Sequence, residues 1–141
     1  MNSQLEVSLN LTNQKIKFTG KARSNPEIVM DYFPPFGDGE GYTGLELLLM
    51  SLASCSATSI VGLLRKMNKD IRGFSVNARG IRREQHPTSF HTINLDFVLN
   101  SDNTADADLQ KAINISEESL CPVWAMLKGN VEIITGFRIE K

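Results

Sequence analysis

Residues 43–68 read TGLELLLMSLASCSATSIVGLLRKMN, and their period decides the fold. Leu45, Leu48, Leu49, Leu52, Ile60, Val61 and Leu64 recur at helical spacing. Thr43 followed three residues later by Glu46 is a capping box, in which each side chain serves a backbone N–H that the start of a helix leaves free. Arg65, Lys66 and Lys69 crowd the far end, where cations complement the helix dipole. The spacing therefore predicts one helix over about 43–68, long for a chain of 141 residues. Its middle, LASCSATSI, carries almost no bulk. Either another helix packs close to it, or room is left for a molecule to reach the sulfur of Cys55.

Upstream, the period changes to two. LEVSLNLT and KIKFTG alternate apolar and polar residues on either side of Asn13 and Gln14, which predicts a hairpin over residues 4–20. EIVMDYF (27–33) reads as a third strand, closed by Pro34, Pro35 and the glycine-rich FGDGEGYTG. Downstream, GFSVNARGIRRE and SFHTINLDFVLN alternate around the turn QHPTS, a second and longer hairpin. TADADLQKAINISEESL puts Leu109, Ala112, Ile113 and Leu120 on one stripe, with Asp106 and Asp108 in its first turn: a second helix. CPVWAML opens a third with Pro122 where proline is favoured, and Gly129 ends it. VEIITGFRIE is a last strand. Grouped strands in the order βββ–α–ββ–α–α–β make this an α+β chain, read as one domain over 1–141.

Net charge is −1 with both signs scattered, which argues against a nucleic-acid partner. Ser, Gly and Glu dilute the apolar helix, so no membrane span is expected. MNSQLEVSLN has neither the basic nor the apolar region of a secretion signal, and the chain reads as cytoplasmic. In that compartment two cysteines are free, catalytic or metal-binding more often than bridged. Two thiols without neighbouring ligands are thin material for structural zinc.

Cys55 shares its helical face with Leu48, Ser51, Leu52, Ser59 and Gly62, none of which titrates near neutral pH. An inert core cysteine fits that pattern. Cys121 lies just before Pro122, near the N-cap of the last helix, where free N–H groups and the dipole lower a thiol pKa. Simple packing at the helix junction fits it equally. Glu46 is nine residues before Cys55, about half a turn round the helix, so its cap role is the plain reading. His86 and His91 read as solvated turn and strand residues. Arg23, Arg79, Arg82 and Arg83 read as strand and turn cations.

The whole pattern resembles the OsmC/Ohr family of osmotically inducible and organic-hydroperoxide-resistance proteins, and most its smaller branch. The likeness rests on TGLELLLMSLASCSATSIVGLLRKM, the strand pair around IRREQHPTSFHTINLDFVL, and ISEESLCPVWAML. It implies an OsmC-like fold: an intertwined homodimer with long central helices covered by antiparallel β-sheets, and two sites at the subunit interface. It implies that Cys55 attacks an organic hydroperoxide to give a sulfenic acid, which Cys121 resolves as a Cys55–Cys121 disulfide. A dithiol, typically protein-bound lipoyl, then reduces it, and no cofactor is implied. In the family an arginine near the first hairpin activates the thiol and a helix glutamate holds it. Here those roles fall to Arg23 and Glu46, because the hairpin turn LTNQK carries Lys15 and no arginine. Two other readings share the same residues: a non-enzymatic dimeric stress protein that binds an apolar small molecule, and a redox sensor read by a partner.

Overall fold

A computed structural model describes residues 3–141, in two compact units that divide at Leu48/Leu49, inside the long helix. In the N-terminal unit three short strands pair antiparallel in sequence order: β1 (Ser8–Leu11), β2 (Phe18–Lys21) and β3 (Ile28–Met30). Asn13 makes the β1–β2 turn. Its Oδ1 accepts the N–H groups of Lys15 (2.9 Å) and Lys17 (3.1 Å), the side-chain mimic of a backbone turn that asparagine favours.

The third strand is shorter than the run 27–33 predicted. It stops at Met30 because Asp31 turns its carboxylate onto the following loop, accepting N–H bonds from Tyr32 (2.8 Å), Asp38 (3.2 Å) and Glu40 (3.2 Å). Burial pushes the Asp31 carboxyl up, but these three donors outweigh it and hold it below the usual carboxylate range.

Helix α1 (Gly44–Lys66) begins where the capping box placed it. Thr43 N–H donates to Glu46 Oε1 at 2.9 Å, and Glu46 N–H donates to Thr43 Oγ1 at 3.2 Å. It ends in a Schellman motif: Asn68 takes φ +61°, Lys69 N–H donates to Leu64 O and Asn68 N–H to Arg65 O. Leu52, Ser56, Ile60 and Leu64 form one buried stripe at four-residue spacing. Contrary to the expectation from its small residues, α1 is long and apolar enough by length and composition to cross a membrane. Serine, alanine and glycine are nearly neutral in hydropathy, so they do not offset the leucines. Only 22% of its most apolar stretch is buried within this chain.

In the C-terminal unit β4 (Gly73–Arg82) and β5 (Phe90–Asn100) form the long antiparallel hairpin. Every second residue of β5, from Ile93 through Leu95 and Phe97 to Leu99, is fully buried, and Phe74 stacks on Phe97 with ring centres 5.8 Å apart. Helix α2 (Asp106–Ile115) buries Leu109, Ala112 and Ile113 and leads through a π-helical turn (Ser116–Leu120) to α3 (Pro122–Leu127). Strand β6 (Glu132–Glu140) then joins β5 in parallel, from Thr92↔Glu132 to Asn100↔Glu140. The antiparallel pairing expected of both sheets thus holds for β1–β2–β3 and β4–β5. It fails at β6, because the helical crossover after β5 returns the chain in the same direction.

Candidate functional site

Two free thiols meet where α1 faces the α2–α3 junction. Cys55 is half-buried on α1, Cys121 is 2% exposed, and Cys55 lies near enough to raise the Cys121 pKa.

The π-helical turn places the second thiol. Had α2 continued in α-helical phase, Leu120 would lie seven residues beyond Ile113 on the buried stripe, as the sequence suggests. The wider turn, closed by Cys121 N–H donating to Ser116 O at 2.9 Å, breaks that phase. Leu120 is instead 49% exposed, while Ser116 and Cys121 turn inward. Pro122 then starts α3, and Cys121 caps it: its Sγ accepts the Trp124 N–H at 3.4 Å, and Trp124 itself is buried.

The cap was expected to lower the Cys121 pKa. The opposite holds. Burial pushes this thiol above its ordinary value, the neighbouring Cys55 adds to the rise, and the N–H bonds from Trp124 and Val123 only reduce it. Cys121 is therefore a neutral thiol at physiological pH and Cys55 the more accessible sulfur.

The small residues of α1 are explained by close packing. Ser56 is fully buried and donates its hydroxyl to its own helix, at Leu52 O (2.8 Å) and Ala53 O (3.1 Å). Ser59 donates to Ser56 O (3.0 Å), and its Oγ lies 2.5 Å from Ser116 Oγ. Hydroxyls folded back in this way let a second helical element approach without stranding a polar group. Ser59 was visible on the Cys55 face. Ser116 gave no signal, since SEESL reads as ordinary helix.

Glu46 and Arg23 belong to the N-terminal unit. Glu46 is engaged as the α1 cap through one carboxylate oxygen. Arg23 occupies the β2–β3 turn at φ +57° and lines an open groove of about 760 Å³ with residues of the N-terminal segment 4–8. His86 and His91 are exposed, and His91 Nδ1 is 2.7 Å from Thr92 Oγ1. The carboxylates of Asp31, Asp38 and Glu40 lie within metal-ligand spacing, but each has a partner. Asp31 holds the loop N–H groups, Lys15 pairs with Asp38 at 2.6 Å, and Lys17 pairs with Glu40 at 3.1 Å. The trio is a loop strap.

Residues 37–136 match the model of the OsmC-like protein family. Protein YhfA of Escherichia coli K12 is 32% identical over 124 residues, 88% of this chain and 90% of that one. Among solved structures, a protein from Aquifex aeolicus VF5 superposes with a TM-score of 0.86 at 27% identity, covering 99% of this chain and 98% of that one. The organic hydroperoxide resistance protein OhrB of Bacillus subtilis shares the fold, with a TM-score of 0.64 at 16% identity over 96% of this chain and 98% of its own.

Proposed function

The chain belongs to the OsmC-like protein family, and from that premise we propose that it is a homodimeric thiol peroxidase that reduces organic hydroperoxides. The observation that carries this reading is the meeting of an accessible Cys55 thiol with a buried, neutral Cys121 thiol. The organic-hydroperoxide function in the name of OhrB supports the substrate class.

The Cys55 thiolate attacks the terminal oxygen of the hydroperoxide. An S–O bond forms, the O–O bond breaks, and the alcohol leaves after taking a proton, so Cys55 becomes a sulfenic acid. Cys121 then attacks that sulfur: an S–S bond forms, the S–O bond breaks, and water leaves with the thiol proton. A dithiol such as protein-bound lipoyl returns the two electrons by exchange and is itself oxidised to a disulfide. The order suits the pair. A thiol kept neutral by burial is a poor first nucleophile, and it needs to reach only the neighbouring sulfur.

The homodimer is proposed on uncovered apolar surface. Only 22% of the apolar stretch of α1 is fully buried in one chain, with Leu45, Leu47, Leu48 and Leu49 half-buried, and Leu5, Val7, Leu9 and Leu11 stand exposed at alternate positions of the N-terminal segment and β1. Both units form a single OsmC-like domain in this reading, because the family match crosses their division. Arg23 is proposed as the activating cation and Glu46, with its second oxygen uncommitted to the cap, as its anchor. A pair of thiols cycled by a dithiol requires a reducing, cytoplasmic setting.

The test is intact-mass spectrometry of reduced protein with one equivalent of cumene hydroperoxide, alongside an assay of peroxide consumed. Loss of two hydrogens with stoichiometric consumption is expected, and Cys55→Ser abolishes both. Full consumption by Cys55→Ser would refute the assignment. Disulfide formation without peroxide turnover would point to the sensor reading.

A further inference from the structure

We infer that Ser59 and Ser116 are positioning residues that hold the Cys55–Cys121 pair in register. The inference rests on the thiol pair proposed above, and it concerns the groups that bring Cys121 to Cys55 rather than the peroxide chemistry.

Ser59 lies one helical turn beyond Cys55 on the same face of α1. Opposite it, Ser116 is the residue whose carbonyl accepts the Cys121 N–H and so closes the π-helical turn. One residue therefore both holds the Cys121 backbone and, 2.5 Å away through its hydroxyl, grips the helix that carries Cys55. Ser59 commits its proton to Ser56 O, so Ser116 donates across the contact. Ser116 is fully buried and Ser59 half-buried, so loss of the Ser59 hydroxyl leaves the Ser116 hydroxyl without its partner away from water, while loss of the Ser116 hydroxyl removes the bond across the contact.

The turn has a competitor. If residues 116–120 relaxed to α-helical phase, Leu120 would move from its exposed position toward the Leu109–Ile113 stripe, an apolar gain, and Cys121 would rotate away from Cys55. The Ser59–Ser116 bond opposes that relaxation. It orders the two thiols before they react, so less conformational freedom is lost when the sulfurs join.

The consequence is a more favourable disulfide equilibrium, independent of any peroxide. With glutathione disulfide as oxidant, two protein thiols become one Cys55–Cys121 bond while two glutathione thiols take up the two protons. A broken hydrogen bond of ordinary net strength shifts that constant roughly 2- to 10-fold.

The experiment equilibrates wild type, Ser59→Ala, Ser116→Ala and the double variant across glutathione redox buffers. It reads the reduced-to-oxidised ratio by mass after alkylation, and the melting temperature of each reduced protein is recorded as well. Each single variant should disfavour the disulfide by that factor, and the double variant should be no worse than the singles, since either change already breaks the bond. Equal constants in all four proteins, whatever their melting temperatures, would overturn the positioning role and leave the thiol pair standing. Losses that add in the double variant would also overturn it. No intramolecular disulfide in wild type would overturn both this inference and the pairing beneath it.

Discussion

Glu46→Gln separates two roles that one side chain is asked to fill. In α1 its Oε1 accepts the Thr43 N–H at 2.9 Å. Glutamine offers a carbonyl oxygen at the same place, so the cap bond survives while the charge is lost. What goes is the attraction between an exposed carboxylate and the positive end of the helix, about 0.3–1 kcal/mol. Glu46→Ala also breaks the cap, a loss of about 0.5–2 kcal/mol. At about 2–4 °C per kcal/mol for a domain near this size, the melting temperature falls by about 1–4 °C for Gln and, with both losses, about 2–12 °C for Ala. If Glu46 anchors the cation that favours the Cys55 thiolate, the effect on chemistry is larger. Losing an interaction worth about 1.4 kcal/mol in the transition state slows peroxide turnover about 10-fold. Calorimetry of the reduced protein and cumene hydroperoxide consumption at pH 7 read the two effects separately. A Gln variant with full peroxide turnover would reduce Glu46 to a helix cap. A Gln variant as unstable as Ala would contradict the cap geometry itself.

Trp124→Ala empties a fully buried indole site beneath α3 and is expected to cost about 3–5 kcal/mol by urea denaturation; a loss below about 1 kcal/mol would mean the ring is not packed there. Cys121→Ser should leave one peroxide oxidation per chain and then gain a second oxygen at Cys55, seen as sulfinic acid by mass, where wild type gains none. Burial holds the Cys121 thiol above the ordinary 9.0, so the unfolded chain ionises first. Its contribution to stability is intact below that pH and is lost as pH rises through the folded-state value. Urea titrations from neutral to alkaline pH should show wild type losing more stability than Cys121→Ser, and parallel curves would contradict the assignment. Gly80→Ala places a methyl 2.6 Å from Phe90 Cδ1 across the β4–β5 pair and should cost about 1–3 kcal/mol, read by the same titration.

Local chemistry in the sequence foretold the elements whose stabilisation is local. The Thr43–Glu46 box, the Asn13 turn and the alternation of 90–100 are set within a few residues, and each stands where it was expected. Three features depend on distant partners and were not legible. The direction of β6 follows from a crossover whose geometry no strand pattern encodes. The π-helical turn leaves SEESL looking like uninterrupted helix, which put Leu120 inside when it is outside. The cap position of Cys121 was readable, but the sign of its pKa shift was not, because burial, which tertiary packing decides, outweighs the N–H donors. The asymmetry of the two thiols emerges only when α1 and the turn are brought together.

The placement of β5 between β4 and β6 also bears on how a nascent chain leaves the ribosome. β5 can zip onto β4 as soon as the hairpin is made, but its other edge stays open until α2, the π-helical turn and α3 have been synthesised and β6 arrives. During that interval the strand richest in buried apolar side chains presents an unpaired row of backbone groups, the kind of edge that recruits other chains. Translation pauses within residues 101–131 would lengthen the exposure, so yield in the cell should depend on codon speed there and on chaperone supply more than on the stability of the finished fold.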